Sequence, residues 1–368
     1  MKNAAEMIQF LRGERPERFA ASPLFTSVYT QPMHKRDWLL PSSDPDSIEE
    51  ICGVGQACGF VPFFEVLWFE VGVMDYDEVH DEISGNTMDR IKTFRTPMGE
   101  HVLVDQFHKL QSRHVAKYPF STRQDLDAYE HVIRRSIERI EQTRPRLRAV
   151  MKQTAGRAVP YFSAPSPHKC CNLISSTDRI YLFMDEPERM DAICRLNEEL
   201  AQAGLRVAAE EGFKVFFVGT EGSLYSPSII ERYAIPYLEQ RRRLANELGG
   251  LFYLHECGRM KGLVDAGLYA RLGPDLLEGF QPPPSGDIID MAEVAAKLPP
   301  KMVTKGNLDL NFLLDAKPAD VRQAAREVLK GMAAAGRRHI MGGACSALPG
   351  TPFDNFRAIV EAVEEANG

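Results

Sequence analysis

Residues 214–257 read KVFFVGTEGSLYSPSIIERYAIPYLEQRRRLANELGGLFYLHEC, two apolar β-rich runs separated by a helical stretch. Ser226 and Pro227 stand where the helix is expected to begin, since serine caps a helix amino end and proline suits the first turn. Gly249 and Gly250 stand where it is expected to end. The second run begins directly afterwards, so the segment predicts a parallel unit of strand, helix and strand.

The same alternation extends in both directions along the chain. Further strands are predicted at residues 23–29, 60–73, 159–163, 276–280, 301–306 and 339–342, and further helices at 125–151, 187–211, 319–335 and from residue 351 onwards. About eight strands alternating with helices predict a (β/α)8 TIM barrel, of class α/β. We expect one domain over residues 1–368, with an N-terminal helical extension at 1–20 and an irregular insertion at 75–117. Neither glycine-rich nucleotide-binding motif occurs, which disfavours an open nucleotide-binding sheet.

Composition excludes several classes of protein. The chain has 368 residues with 44 Lys plus Arg against 51 Asp plus Glu, a formal charge of −7, which argues against a nucleic-acid partner. The longest apolar stretch, residues 60–74, is interrupted by Glu65 and Glu70, so no membrane span is expected. Seven cysteines, an odd number without disulfide-scaffold density, predict free thiols in a reducing, cytoplasmic compartment.

Three soft metal ligands are predicted to meet at one end of this barrel. His255 and Cys257 share a face of the strand predicted at residues 251–257 and lie at its carboxyl end, where barrel enzymes place their sites. Cys345 follows the last predicted strand at the equivalent end. Two thiolates and an imidazole suit Zn²⁺, and three protein ligands leave a fourth tetrahedral position open, as in catalytic zinc sites. The alternative is that both cysteines are small buried hydrophobes and His255 is a hydrogen-bonded core residue.

Other residues at the same end have two interpretations each. Glu221, which follows the strand at 214–218, is either a general acid or a solvated loop carboxylate. His168, Cys170 and Cys171 form either an ordinary loop or a rival metal site. Asn307 is a candidate for hydrogen bonding to substrate.

Several motifs carry a resemblance to a known family. They are SP at 226–227, LHECG at 254–258, GNLD at 306–309, PGTPFDNF at 349–356, TPMG at 96–99 and KYPF at 117–120. On these motifs the chain resembles the uroporphyrinogen decarboxylase superfamily over roughly residues 55–366. The decarboxylases of that superfamily carry an arginine motif, RQAGR, that this sequence lacks, and a histidine where this chain has Gly343, Ala344 and Cys345.

The pair His255 and Cys257 followed by Cys345 is instead similar to the zinc-dependent methyltransferase branch. That resemblance implies that the three residues bind zinc and that a methyl group passes between a small molecule and the cobalt of a corrinoid (cobalamin). The chain has no D-x-H-x-x-G corrinoid motif, so the corrinoid is expected on a separate protein. A cofactor-free decarboxylase and a non-catalytic zinc-binding module are the alternatives.

The identity of the small molecule is left open between two classes. A thiol acceptor would place its sulfur at the open zinc position. A methyl donor such as a methoxylated aromatic would need an apolar pocket, which Trp68 and Tyr225 could help to form, and a proton, which Glu221 could donate. The predicted site is therefore zinc on His255, Cys257 and Cys345, with Glu221 catalytic and Tyr225, Asn307 and Trp68 contacting substrate.

Overall fold

The computed structural model describes residues 1–30, 42–108 and 111–368, with the backbone alone at Ser27, Gln111 and Ser112. Its strands are β1 (Phe19–Ala21), β2 (Leu24–Phe25), β3 (Phe63–Leu67), β4 (Glu78–Ser84), β5 (Thr87–Thr96), β6 (Gly99–His108), β7 (Gln111–Lys117), β8 (Val159–Ser163), β9 (Val215–Gly219), β10 (Leu251–His255), β11 (Leu276–Glu278), β12 (Val303–Leu308) and β13 (His339–Gly343). Its helices are α1 (Ala4–Arg12), α2 (Ser27–Thr30), α3 (Pro45–Cys58), α4 (Leu126–Glu138), α5 (Arg144–Thr154), α6 (Ser176–Asp185), α7 (Pro187–Glu210), α8 (Pro227–Tyr233), α9 (Ile235–Glu247), α10 (Lys261–Asp265), α11 (Leu268–Leu272), α12 (Met291–Ala296), α13 (Leu310–Asp315), α14 (Pro318–Ala334) and α15 (Phe353–Asn367).

The parallel strands form one sheet that closes on itself. Within the described residues the strand order is β1-β13-β12-β11-β10-β9-β8-β3-β2. The two ends of this order, β1 and β2, are separated in the chain by only Ser22 and Pro23. They therefore act as one interrupted strand that pairs with β13 on one side and with β3 on the other. This closure confirms the predicted (β/α)8 barrel and brings the carboxyl ends of all its strands to one rim.

The alternation of side chains in the strands separates two layers of core. Val215, Phe217 and Tyr253 belong to a cluster inside the barrel, whereas their neighbours Phe216 and Phe252 belong to the cluster between barrel and helices. Helix α1 adds three side chains to the inner cluster, which are Met7, Phe10 and Leu11. The N-terminal extension therefore packs against the interior of the barrel, at the end where the strands begin.

Helix α1 is shorter than the extension predicted at 1–20. The Asn3 side chain accepts a hydrogen bond from the Glu6 amide at 3.0 Å, and Gly13 ends the helix with a left-handed φ of 78°. The chain then enters the barrel as β1. That the whole chain is one domain stays a prediction.

The insertion at 75–117 is ordered, contrary to the prediction of irregular structure. Strands β4, β5, β6 and β7 form a separate antiparallel sheet in that order, and residues 109 and 110 between β6 and β7 lie outside the described residues. The strands are rich in charged residues on both faces, so they lack the apolar alternation that indicates a half-buried strand. The Ser84 to Thr87 pair of β4 and β5 closes a tight turn at Gly85.

Strand boundaries differ from the prediction near the N-terminus and at β10. Residues 23–29 contain only the short β2 followed by α2, and residues 60–73 contain only β3. Strand β10 ends at His255, so Cys257 lies in the following turn and not on the strand. In the described part of the chain, no helix has the length and apolar character needed to cross a membrane.

We expect Gly250→Ala to destabilise the barrel, because this glycine leads into β10 without room for a side chain. A Cβ there would lie 2.3 Å from the ring of Phe216, which is completely buried. Overpacking of this kind should lower the free energy of unfolding by about 1–3 kcal/mol, measured by chemical denaturation.

The matched control is Gly262→Ala in α10, where a Cβ would meet nothing within 4 Å. Its unfolding free energy should be unchanged or slightly higher, because alanine favours the helix. Equal stability of the two variants would contradict the packing described around β10.

Candidate metal centre

The three predicted ligands meet at the carboxyl rim of the barrel. His255 is the last residue of β10, and Cys257 and Cys345 lie two residues beyond the ends of β10 and β13. The two sulfurs are 3.9 Å apart, and the His255 Nε2 lies 2.8 Å from the Cys257 sulfur and 3.7 Å from the Cys345 sulfur. Within the described residues, this is the one group of three or more His, Cys, Asp or Glu side chains with a metal-binding geometry.

Two of these three separations fit a tetrahedral zinc ion. Zinc bonds of about 2.3 Å to sulfur and about 2.0–2.1 Å to nitrogen place sulfurs about 3.8 Å apart and nitrogen about 3.6 Å from sulfur. The two distances that involve Cys345 agree with this, whereas the 2.8 Å between the His255 Nε2 and the Cys257 sulfur is shorter than zinc ligation would give. His255 is 7% exposed and both cysteines are partly exposed, so the group is open on the side of the sulfurs.

The protonation of the group also suits a cation. Burial lowers the pKa of His255, but the sulfurs of Cys257 and Cys345 outweigh it and raise that pKa well above its usual range. The hydrogen bond with Cys257, together with the charge of His255, lowers the pKa of the Cys345 thiol. A thiolate is therefore held here by positive charge, a role that a divalent metal would take over.

His255 is oriented from behind by a buried carboxylate that the sequence prediction missed. Glu278, the last residue of β11, is completely buried, and its Oε2 lies 2.9 Å from the His255 Nδ1. Lys305 and Tyr253 also donate hydrogen bonds to Glu278. Burial raises the pKa of Glu278, but Lys305 and His255 more than offset this and bring it to about 2. An ionised Glu278 accepts the Nδ1 proton and leaves Nε2 directed towards the sulfurs.

One feature of the sequence could have indicated Glu278 and Lys305. Glu278 and Lys305 are charged residues within short apolar strands, LLE in β11 and VTKGNL in β12. Glu65 stands in the same way within FFEVL in β3. A charged side chain in a barrel strand needs a buried partner, so each of the three indicates a site.

Glu256 has a structural role at the rim. Its buried carboxylate accepts hydrogen bonds from the Thr220 hydroxyl, the Gly222 amide at 2.5 Å and the Tyr269 hydroxyl at 2.6 Å. It therefore ties the loop after β9 to the rim beside the metal group.

Glu221 lies at this rim but outside the group of three. Its carboxylate is ion-paired with the Lys169 ammonium at 2.6 Å and lies 4.0 Å from the Arg179 guanidinium. The side chain of Tyr225 is buried, with its ring packed edge to face on His168 at 5.0 Å. The catalytic role of Glu221 and the substrate contact of Tyr225 stay predictions.

His168, Cys170 and Cys171 lie in the core and do not join the metal group. His168 is fully buried between Ser166 and the Thr220 carbonyl, and burial lowers its pKa to about 3. Burial raises the pKa of each cysteine to about 12. Their surroundings match the ordinary loop and not the rival metal site.

A cavity of about 860 Å³ lies between the barrel rim and the antiparallel sheet. Its lining includes Thr26 and Glu65 from the barrel. The Thr26 hydroxyl lies 3.1 Å from that of Ser346, the neighbour of Cys345, so the cavity floor adjoins the metal group.

Trp68 and Asn307 do not line this cavity. Trp68 is buried with its ring against Phe69, and Asn307 is buried in β12. The neighbours of Trp68, which are Leu67 and Phe69, do line it. The predicted aromatic segment thus reaches the cavity through adjacent residues, and the substrate contacts of Trp68 and Asn307 stay predictions.

Comparisons with known proteins place the chain in a structural family. The family model for uroporphyrinogen decarboxylase (URO-D) matches residues 106–366. A methyltransferase from Methanosarcina mazei is similar in structure, with a TM-score of 0.72, 16% sequence identity and 98% of both chains covered. A B12-independent methionine synthase from Shewanella sp. W3-18-1 has a TM-score of 0.50 and 10% identity, with 94% of this chain and 97% of its own covered. No curated protein matches the chain. At these identities the two structures establish a shared fold.

We expect Glu278→Gln to weaken zinc binding by about 10- to 100-fold, because the amide cannot hold the Nδ1 proton as the carboxylate does. The dissociation constant would be measured by competition with a chromogenic chelator. Glu70→Gln is the control, since Glu70 lines the cavity but accepts its hydrogen bonds from the Ser42 and Ser43 amides. Unchanged affinity in Glu278→Gln would show that His255 does not depend on Glu278.

Proposed function

The chain belongs to the uroporphyrinogen decarboxylase family, and we propose that it is a zinc-dependent methyltransferase working with a separate corrinoid protein. A methyl group would move between a small molecule and the cobalt of that corrinoid. The single observation that carries the proposal is the convergence of His255, Cys257 and Cys345 at the carboxyl rim of the barrel. The M. mazei structure, itself a methyltransferase, supports methyl transfer as a chemistry compatible with this fold.

The donor set favours zinc over other metals, because thiolate and imidazole ligands in tetrahedral geometry are typical of zinc. When bound with an open position, zinc supplies either an activated thiolate or polarisation of an ether oxygen. No fourth His, Cys, Asp or Glu among the described residues joins the group. The arrangement therefore suits catalysis better than a purely structural zinc site.

The protein's own residues position this chemistry. Glu278 fixes the orientation of His255, and Lys305 keeps Glu278 ionised in a buried position. The cavity between the rim and the antiparallel sheet offers room for a small-molecule substrate next to the group of three.

Glu65 is a second candidate for the proton donor that the sequence assigns to Glu221. Burial raises the pKa of Glu65, while Ser163 and the charge of His255 lower it in part. Glu65 also lines the cavity, whereas Glu221 is held by Lys169. A protonated Glu65 could give its proton to the oxygen that loses a methyl group, so that an alcohol or phenol leaves.

Methyl transfer to cobalt tests the proposal. Zinc-loaded protein would be mixed with a reduced corrinoid protein or free cob(I)alamin and a methyl ether, and methylation of cobalt would be followed by absorbance. We expect no bound corrinoid in the purified chain and no transfer until corrinoid is added. Transfer that persists after zinc removal would overturn the role of zinc. Decarboxylation of uroporphyrinogen without methyl transfer would favour the decarboxylase alternative instead.

We expect about one zinc per chain, and Cys345→Ala should lose most of the zinc and nearly all turnover while remaining folded. The barrel core does not include the metal group, so circular dichroism should be unchanged. Zinc content would be measured by mass spectrometry of the metal.

Cys58→Ala is the matched control, because Cys58 is a buried cysteine whose sulfur lies near the Phe353 carbonyl at 3.8 Å, away from the metal group. It should keep its zinc even if its stability falls. Full zinc content and activity in Cys345→Ala would overturn the ligand assignment.

A further inference from the structure

The antiparallel sheet presents an unbalanced cluster of charges to the cavity. Asp105 of β6 is completely buried, and its two oxygens accept hydrogen bonds from Lys92 at 2.7 Å and Arg113 at 2.6 Å. Among the described residues, two cations therefore share one carboxylate, so this cluster carries one positive charge in excess. The Lys92 side chain is only 11% exposed. A cation so removed from water is stabilised by an anion close to it.

Two other groups of charged residues near the cavity are matched within themselves. Arg90 on the same sheet forms a two-point pair with Asp81, with both contacts at 2.7 Å. At the barrel end, Asp75 and Asp77 together are paired with Arg135 and Arg139. The excess positive charge is thus localised at Lys92 and Arg113.

The barrel end of the cavity is poorly suited to an anion. Glu65 and Glu70 both line it, and burial raises the pKa of Glu70 to about 7. Glu70 therefore carries part of a negative charge at neutral pH. The Arg146 guanidinium donates to the backbone carbonyl of Glu70 at 3.1 Å, so one cation at this end stands against two carboxyl groups. A substrate anion should consequently turn towards the sheet.

The aromatic residues of the cavity exclude a cationic ligand. Lys92 lies over the ring of Tyr76 at 5.0 Å and near that of Phe69 at 6.0 Å, and Arg113 lies over Phe69 at 4.8 Å. Arg90 lies over Phe107 in the same way at 5.4 Å. A methylated ammonium ion would be bound by cation–π contacts with such ring faces. Here they already face cations of the protein, which would repel it.

From these contacts we propose that Lys92 and Arg113 form a subsite for the carboxylate, or an equivalent anion, of a bulky aromatic substrate. The reacting end of that substrate would extend to the cavity floor beside Cys345. The volume of about 860 Å³ is in the range that holds ligands larger than a simple alcohol or amine. The position of the reacting end rests on the proposed function, whereas the anion subsite stands on the charges of the sheet.

Calorimetric titration of the full-length, zinc-loaded protein tests the subsite with matched probes. We would compare 3-methoxybenzoate with 3-methoxybenzamide, and 3-mercaptobenzoate with its amide. The acid should bind about 10- to 100-fold more tightly than its amide in at least one pair, as expected for charge-assisted hydrogen bonds. The pair that shows the preference tells whether the reacting end is an ether or a thiol.

Variants locate the preference in the chain. Lys92→Met and Arg113→Gln should each reduce binding of the preferred acid by at least about 10-fold and leave binding of its amide nearly unchanged. Arg90→Gln is the control, because Arg90 lines the same cavity but is matched by Asp81. It should keep the preference. Circular dichroism and thermal denaturation would verify that each variant is folded.

Equal binding of acids and amides, or no binding of any of the four probes at millimolar concentration, would overturn the subsite. So would unchanged binding of the acid in folded Lys92→Met and Arg113→Gln. The proposed function fails separately, since a preference for the acid without zinc-dependent methyl transfer would retain the subsite and reject the methyltransferase. Methyl transfer from neutral ethers as fast as from the corresponding acids would retain the methyltransferase and reject the subsite.

Discussion

The orientation of His255 in the candidate metal group depends on its hydrogen bond to the carboxylate of Glu278. This carboxylate is buried completely, and an isolated charge in that position would be strongly unfavourable. Lys305 makes it tolerable, and this pairing in turn fixes the ring of His255. The pair lies inside a closed barrel, where β10, β11 and β12 are hydrogen-bonded neighbours. The closed barrel therefore buries the ion pair of Glu278 and Lys305, and this ion pair orients His255.

The barrel could be predicted from the sequence because its strands are short apolar runs bounded by helix signals. Strand β8 was predicted at its observed bounds, and β9 and α7 to within a residue at each end. The antiparallel sheet could not be, because its buried apolar side chains, such as Phe94 and Leu103, are interspersed with charged residues and do not alternate regularly along the strands. Its strands read as polar loops until their partners are known.

The candidate site also contains residues that the sequence predicts and residues that only the fold reveals. His255, Cys257 and Cys345 are soft ligands at predicted strand ends, so their convergence follows from the barrel topology. Glu278 and Lys305 are ordinary charged residues whose significance lies in a contact between two strands. Glu221 lies directly after β9, as its place in the sequence predicts, but its ion pair with Lys169 joins two separate loops and depends on the fold. The sequence therefore predicts which residues follow the barrel strands, whereas the contacts between their side chains become known only from the fold.

The barrel sheet and the antiparallel sheet contribute different parts of the candidate site. The parallel barrel positions the three candidate metal ligands at the end of β10 and in the loops after β10 and β13. The antiparallel sheet adds the opposite wall. Its strand β4 is exposed, whereas β5 and β6 place Phe94 and Leu103 in the hydrophobic core. Reaction chemistry would then reside in the barrel, and selection of the small molecule in Lys92, Arg113 and their aromatic neighbours. A protein built in this way can acquire a new substrate by substitution in the sheet while the metal group is retained.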